Sequence, residues 1–246
     1  RRTSTVTSSP AFRSDVSVSL IDSMGGDERL VQAARVSTRG AESVDSAESA
    51  GLILYLMRNS HASDEVAPHS PVEHTVMTFL VEAPIFVARE FMSRRIASYN
   101  EESGHYRTLR PSFYIPARDR KLTQTGKAGE YRFEPGTEEQ HDLVEKAQER
   151  AYLAAWDAYI EMLEAGIARE VARMVLPVGL FTSFYVTMNV RSLMNFLSLR
   201  TIHPEADDPS TPQREIEMVA EQMEESFAEI MPITYTAWNE FGRRSI

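Results

Sequence analysis

The chain has 246 residues, no cysteine and a formal net charge of -10. That length suits one large domain or two small ones and needs no staples. Without thiols there are no disulfides, zinc–thiolate sites, iron–sulfur clusters or cysteine nucleophile, which suits a reducing, cytoplasmic setting. The acid excess argues against nucleic acid as the main partner. No apolar run approaches a membrane span and no signal peptide is visible, so no membrane partner is expected either.

Residues 1–14 are polar, rich in Ser and Thr and aperiodic, and read as a flexible tail. Residues 16–21 alternate apolar and polar, a strand signal. Asp27 is placed to cap a helix running through Leu30, Ala33 and Ala34 towards Ser37. A second helix is predicted over 47–57, followed by a loop over 59–71 and a strand of strong β formers over 75–81. Pro84 suits the first turn of a helix carrying Ile85, Ala88, Arg89 and Met92. That helix delivers Arg94 and Arg95 at its C-terminal end, where cations complement the dipole. Residues 113–115 read as a short strand, and 118–132 as a charged, solvated, mobile loop. Thr137-Glu138-Glu139-Gln140 is a capping box. It opens a long helix with Leu143, Ala147, Ala151, Ala155, Tyr159 and Met162 on one face, ended by Gly166. A shorter helix over 169–176 stops at Pro177 and Gly179, residues 180–187 read as a strand, and 192–199 as a helix. Pro212 begins the last helix, with Ile216, Val219, Ala220, Met223, Phe227 and Ile230 apolar. Helices interleaved with a few strands fit one α+β or α/β domain with a small sheet.

Two segments carry unusual chemistry. The window from Arg89 to Arg110 holds five arginines against three glutamates on an otherwise acidic chain. Within it, Arg94-Arg95-Ile96-Ala97-Ser98-Tyr99-Asn100-Glu101-Glu102-Ser103-Gly104-His105-Tyr106-Arg107 joins two guanidiniums to a polar run ending in Ser-Gly. Guanidinium forks suit phosphate, and glycine lets backbone N–H groups approach an anion. Most charge clusters are simply solvated, so this island alone points to a local anionic ligand without naming it. The second segment runs from Asn189 to Arg200. Arg191 and Asn195 are four apart and share a helix face, while Arg200, nine beyond Arg191, faces nearly the opposite way. An amphipathic helix with a wet polar face has the same pattern. The six histidines show no metal-ligand spacing, and no metal is expected.

Taken together, these motifs resemble the flavin-dependent thymidylate synthase family over most of the chain. The likeness starts at Ala33-Ala34-Arg35-Val36-Ser37 and continues through Ser70-Pro71-Val72-Glu73-His74, then through Ala83-Pro84-Ile85-Phe86-Val87-Ala88-Arg89. It includes Ile96 to Gly104, Arg169-Glu170-Val171-Ala172-Arg173-Met174-Val175-Leu176-Pro177 and Arg191-Ser192-Leu193-Met194-Asn195-Phe196-Leu197. The family signature is Arg-His-Arg, seven residues, then Ser. Arg95 and Ser103 keep the spacing, while Ser93 and Arg94 stand in the two earlier positions and His105 replaces a following arginine.

The resemblance implies a single α+β catalytic domain over 15–246, with a small, mainly antiparallel sheet packed by several helices. It implies a homotetramer with shared active sites and FAD as cofactor, bound without a Gly-rich dinucleotide fingerprint, which this chain lacks. It also implies methylation of dUMP to dTMP, with methylenetetrahydrofolate as carbon donor and NADPH as reductant. Arg200 is implied as the catalytic group, set against the uracil ring. Glu90, Ser93, Glu101, Glu102, Ser103, Gly104, His105 and Arg173 are implied as further dUMP contacts. Ser37, His69, Ser70, Glu73, Arg94, Arg95, Ile96, Asn100, Glu101, Asn189, Arg191 and Asn195 are implied as FAD contacts, His61 competing with His69 for the flavin-side histidine. Two readings stay open: an active synthase, or a flavin- and nucleotide-binding relative impaired by Ser93 and Arg94. A helical interaction module with solvated arginines is a third, weaker reading.

Overall fold

A computed structural model of the chain describes residues 9–39, 46–58, 69–93, 96–127 and 131–244. The elements in order are strands β1 (Ala11–Arg13) and β2 (Ser17–Met24), then helices α1 (Asp27–Arg39) and α2 (Ser46–Arg58). A 3₁₀ turn (Ser70–His74) leads into β3 (Val76–Pro84), α3 (Ile85–Phe91), β4 (Ser98–Glu101) and β5 (Ser112–Tyr114). Then come β6 (Lys121–Thr125), β7 (Arg132–Pro135), α4 (Glu138–Glu164) and α5 (Arg169–Ala172), which tightens to a 3₁₀ turn over Arg173–Val175. Strand β8 (Phe181–Asn189) and helices α6 (Val190–Arg200), α7 (Arg214–Ile230) and α8 (Pro232–Glu240) complete the chain.

A four-stranded sheet has the order β2-β3-β8-β4. β2 and β3 pair antiparallel, Val18 opposite Val81 and Leu20 opposite Phe79, with an irregularity at Ile21. Met77, Phe79 and Val81 are buried in the period of two that the sequence shows. This is the mixed α+β class expected from sequence. No helix among the described residues is long and apolar enough to cross a membrane.

Packing divides the chain into two compact units. The first comprises a segment ending at Asp15, with Ala83–Ala88 and Glu101–Thr182. The second comprises Val16–Glu82, Arg89–Asn100 and everything from Ser183 onward. Neither is continuous in sequence, so no linker composition marks a boundary.

The core of the first unit gathers Phe113, Tyr152, Trp156, Tyr159, Ala172 and Leu180. Phe113 stacks on Tyr152 at 4.9 Å and meets Trp156 edge-on at 6.2 Å. α4 therefore buries His141, Tyr152, Trp156 and Tyr159, not the stripe expected from Leu143 and the alanines. Leu143 is 68% exposed. Aromatic rings remove far more apolar area from water than alanine methyls and set the helix rotation. The capping box forms, Thr137 N donating to Gln140 Oε1 at 2.8 Å and Gln140 N to Thr137 Oγ1 at 3.3 Å. Gly166 ends the region at φ +82°.

Two other expectations in this unit are corrected. Residues 11–13, placed in the tail, form β1, paired in parallel with β5. The charged segment after Arg118, expected as a loop, forms the antiparallel β6–β7 hairpin. Both are short and largely exposed, so hydrophobic alternation does not report them.

In the second unit Phe91 is fully buried, with Phe196 at 4.5 Å, Phe184 at 5.6 Å and Tyr99 at 6.1 Å. α7 buries Ile216, Val219, Ala220, Met223 and Phe227 as its pattern requires. α8 is an element the sequence reading lacks, beginning at Pro232 directly after α7. Asp27 does not stand outside α1 as its cap but is the first residue of that helix. Its carboxylate accepts from Ile233 N (2.9 Å), Thr234 N (3.1 Å) and Thr234 Oγ1 (2.6 Å), capping α8 instead. Two otherwise orphaned N–H groups at that helix start find their acceptor there.

Candidate active site

In the first unit the segment after β4 folds into a tight turn. Ser103 C=O accepts from Tyr106 N at 3.1 Å and Arg107 N at 3.3 Å. Ser103 Oγ accepts from His105 N at 3.2 Å, which leaves its own proton for another acceptor. A methyl group on buried Gly104 would lie 3.0 Å from Leu109 Cδ1 and 3.1 Å from Arg173 Cδ, so the stem of Arg173 packs on the glycine. Arg173 itself is exposed, and His105 Nδ1 lies 2.9 Å from Glu170 Oε2. The short α5 element and the turn that continues it thus bring Glu170 and Arg173 against the Ser103–His105 turn.

Ser103, Gly104, His105 and Arg173 come together, distant as they are in sequence. The two neighbouring carboxylates are engaged. Glu101 Oε1 accepts from Thr182 Oγ1 at 2.7 Å, and Glu102 Oε2 lies 3.2 Å from Arg107 Nη1. A hydroxyl, a turn backbone, an imidazole and a guanidinium make a suitable set for a phosphate dianion. Glu170, Arg107 and Thr182 were not singled out from sequence as site residues. Glu170 is three residues before Arg173 on a helical turn, the one signal that could have placed it.

Substituting Gly104→Ala overpacks this turn, at a cost of about 1–3 kcal/mol. The strain falls on Leu109 and Arg173, so weaker binding of a nucleoside monophosphate is expected, by roughly ten- to a hundredfold. Isothermal titration of the variant against the parent measures it, and an unchanged Kd would mean that the turn does not hold a phosphate.

In the second unit Arg200 ends α6, and its Nη2 lies 3.1 Å from Glu90 Oε1, the side chains 19% and 29% exposed. Phe196 on α6 packs on Phe91, the neighbour of Glu90, which fixes both partners. Ser93 turns inward on its own helix end. Its N–H and Oγ donate to Glu90 C=O at 3.2 and 2.7 Å. Ile96 is 70% exposed, and Asn100 is exposed on β4, an edge strand of the sheet.

At the other end of α6, Asn189 is the N-cap, its Oδ1 accepting from Ser192 N at 2.9 Å. The helix therefore starts two residues before the expected Ser192, and the Asn189 amide NH₂ stays available to a ligand. Arg191 Nη1 lies 2.6 Å from Glu73 Oε1 in the Ser70–His74 turn, with His69 at that turn's N-cap and Ser70 exposed at its start. Half-buried Asn195 sits one helical turn beyond Arg191. Arg94, Arg95 and His61 lie outside the described residues, as does the Ser37 side chain.

Comparison with known proteins identifies the family. Residues 19–233 match the family described as thymidylate synthase complementing protein. The flavin-dependent thymidylate synthase of Streptomyces avermitilis is 54% identical over 240 residues, 95% of each chain. That of Tropheryma whipplei strain TW08/27 is 49% identical over 238 residues, 95% of this chain and 96% of the other. The solved structure of the UMP/dUMP methylase PolB from Streptomyces cacaoi with 5-Br UMP superimposes with a TM-score of 0.87. It is 48% identical and covers 97% of this chain and 100% of that one. The same methylase with 5-Br dUMP gives a TM-score of 0.86 at 49% identity, covering 96% and 99%. By these matches the chain belongs to the thymidylate synthase complementing protein family, the family of the flavin-dependent thymidylate synthases.

Proposed function

We propose that residues 15–246 act as one catalytic domain that methylates C5 of dUMP. dUMP, methylenetetrahydrofolate, NADPH and a proton give dTMP, tetrahydrofolate and NADP⁺, in a homotetramer with shared sites. The observation that carries the reading is the turn of Ser103, Gly104 and His105 backed by Arg173, a phosphate cradle, on a chain without cysteine. Ser103 and the turn N–H groups hold the phosphate, with Arg173 balancing its charge and His105 beside them at the turn. Arg200 sets its guanidinium against the uracil carbonyl edge and favours negative charge on the ring, which makes C5 a better nucleophile toward the methylene carbon. Glu90 holds that guanidinium in place.

Arg191, Asn189 and Asn195, grouped on α6 with Ser70 and Glu73 nearby, offer a guanidinium and amides that suit a flavin diphosphate and ring edge. His69, Arg94, Arg95, Ile96, Asn100, Glu101 and Ser37 join them by family resemblance. FAD, when bound, supplies the hydride that completes the methyl group.

A second nucleotide substrate is favoured by one observation. The superimposable Streptomyces cacaoi relative is a UMP/dUMP methylase solved with 5-Br UMP. We therefore propose that this chain accepts UMP beside dUMP. A methyl-transfer assay with FAD, NADPH and folate, run on each nucleotide, tests both claims. Turnover of dUMP is expected, with measurable turnover of UMP. Tight FAD and dUMP binding without turnover would instead establish the impaired relative, in which Ser93 and Arg94 replace signature residues. Absence of flavin binding would overturn the proposal altogether.

A further inference from the structure

Arg243 is 2% exposed, the largest of the fully buried side chains. Its guanidinium is ringed by acceptors. Nη1 donates to Glu224 Oε1 and Asn239 Oδ1, both at 2.6 Å, and Nη2 to Glu224 Oε2 and Thr201 Oγ1, both at 2.8 Å. The cation lies 4.3 Å above the Trp238 ring, and Tyr235 O–H donates to Glu224 Oε1 at 2.8 Å. Arg243 has φ +52° directly after Gly242 at φ +80°. A non-glycine residue holds that conformation only where its surroundings impose it.

The fourth of these bonds reaches beyond the pair. Thr201 is the C-cap of α6, its Oγ1 donating to Leu197 C=O at 2.8 Å. Its own C=O accepts from Ser210 Oγ at 2.7 Å, and the next N–H, of Ile202, donates to buried Glu217 Oε1 at 3.3 Å. The residue immediately before Thr201 is Arg200. Retaining a buried ion pair is poor evidence for stability as such, since apolar packing often replaces one without loss. A buried fork that spends one arm on the helix end carrying a functional guanidinium fixes that helix end in rotation and height.

We infer that Arg243 is a positioning residue for Arg200, acting through Thr201. This rests on the reading that Arg200 acts on the uracil ring. Without the link α6 still forms, but its last turn is held less firmly and Arg200 loses its aim.

The test uses the full chain loaded with FAD, in the variants Thr201→Val, Arg243→Lys and Arg200→Lys and in each of the first two combined with the third. Thr201→Val removes the acceptor while leaving Arg243 on Glu224, and Arg243→Lys keeps the charge but loses the fork. Each single variant is expected to lower kcat at saturating dUMP by about 10- to 100-fold. FAD content and thermal midpoint of Thr201→Val should stay near the parent values. In the Arg200→Lys background either substitution should change kcat by less than about 2-fold, because the group being aimed is gone. Full additivity in that background, or parental kcat in Thr201→Val while Arg200→Lys is impaired, would overturn the inference alone. Parental kcat in Arg200→Lys would overturn the role of Arg200 and the inference with it.

Discussion

Arg200→Ala is expected to lower kcat for dUMP methylation by about 10²-fold or more while costing no more than about 1 kcal/mol of stability. The two effects separate because the group has two environments. Toward the protein it makes an ion pair with Glu90 at 3.1 Å that keeps partial contact with water, and such pairs contribute little. On the proposed role, it meets toward the substrate a charge that appears only as C5 becomes nucleophilic, where a fixed donor counts for more than in the ground state. Single-turnover kinetics at saturating dUMP, beside thermal unfolding, separates the two quantities. A variant within about twofold of the parent kcat would return Arg200 to the rank of a surface cation.

The largest loss of stability is expected from Arg243→Met, about 3–5 kcal/mol, because Glu224 stays behind without its cation. For a chain of this size that lowers the thermal midpoint by roughly 6–20 °C. Acid should shrink the difference. Burial alone would raise the Glu224 carboxyl, but the hydrogen bond and charge of Arg243, with smaller help from Tyr235 and His203, hold it below the ordinary carboxylate range. A depressed folded value means the wild-type contribution is complete above the unfolded carboxylate pKa and is lost as pH falls through the folded one. In Arg243→Met the burial is left largely unopposed and the folded value rises above the unfolded one. The penalty is then full at neutral pH and relieved as the carboxylate takes its proton. Denaturant melts from neutral pH down to about pH 4 should show the two proteins converging. A constant gap would mean that Glu224 is not the group left exposed to that cost.

Most elements are legible in the chain because burial repeats with their period. Met77, Phe79 and Val81 alternate on β3, and Ile216, Val219, Ala220, Met223 and Phe227 recur at helical spacing on α7. The misses share a physical cause. β1 is three residues long and stands on a partner far along the chain, and the β6–β7 hairpin buries too little for alternation to appear. α8 is capped by Asp27 from the other end of the sequence, so Pro232 at its first position is the local sign of its start. The site divides in the same way. Ser103, Gly104 and Arg173 are found through family motifs, and the structure adds why they meet: a glycine that leaves room for an arginine stem. Glu170 meets His105, and Thr201 meets Arg243, only once the chain has folded, and short of the three-residue spacing from Glu170 to Arg173 nothing local marks either.

The interleaved ownership of the two units has a consequence for synthesis on the ribosome. The first unit has all its segments once Thr182 has emerged, whereas the second, opened at Val16, stays incomplete until the chain after Ser183 arrives. The carboxylate of Asp27 meets Ile233, its partner across 206 residues, only after about 10–40 s of elongation. For that interval α1 and α2 are in place without α8, which packs against both. The unit that opens at Val16 closes last, so its apolar surface waits longest for cover.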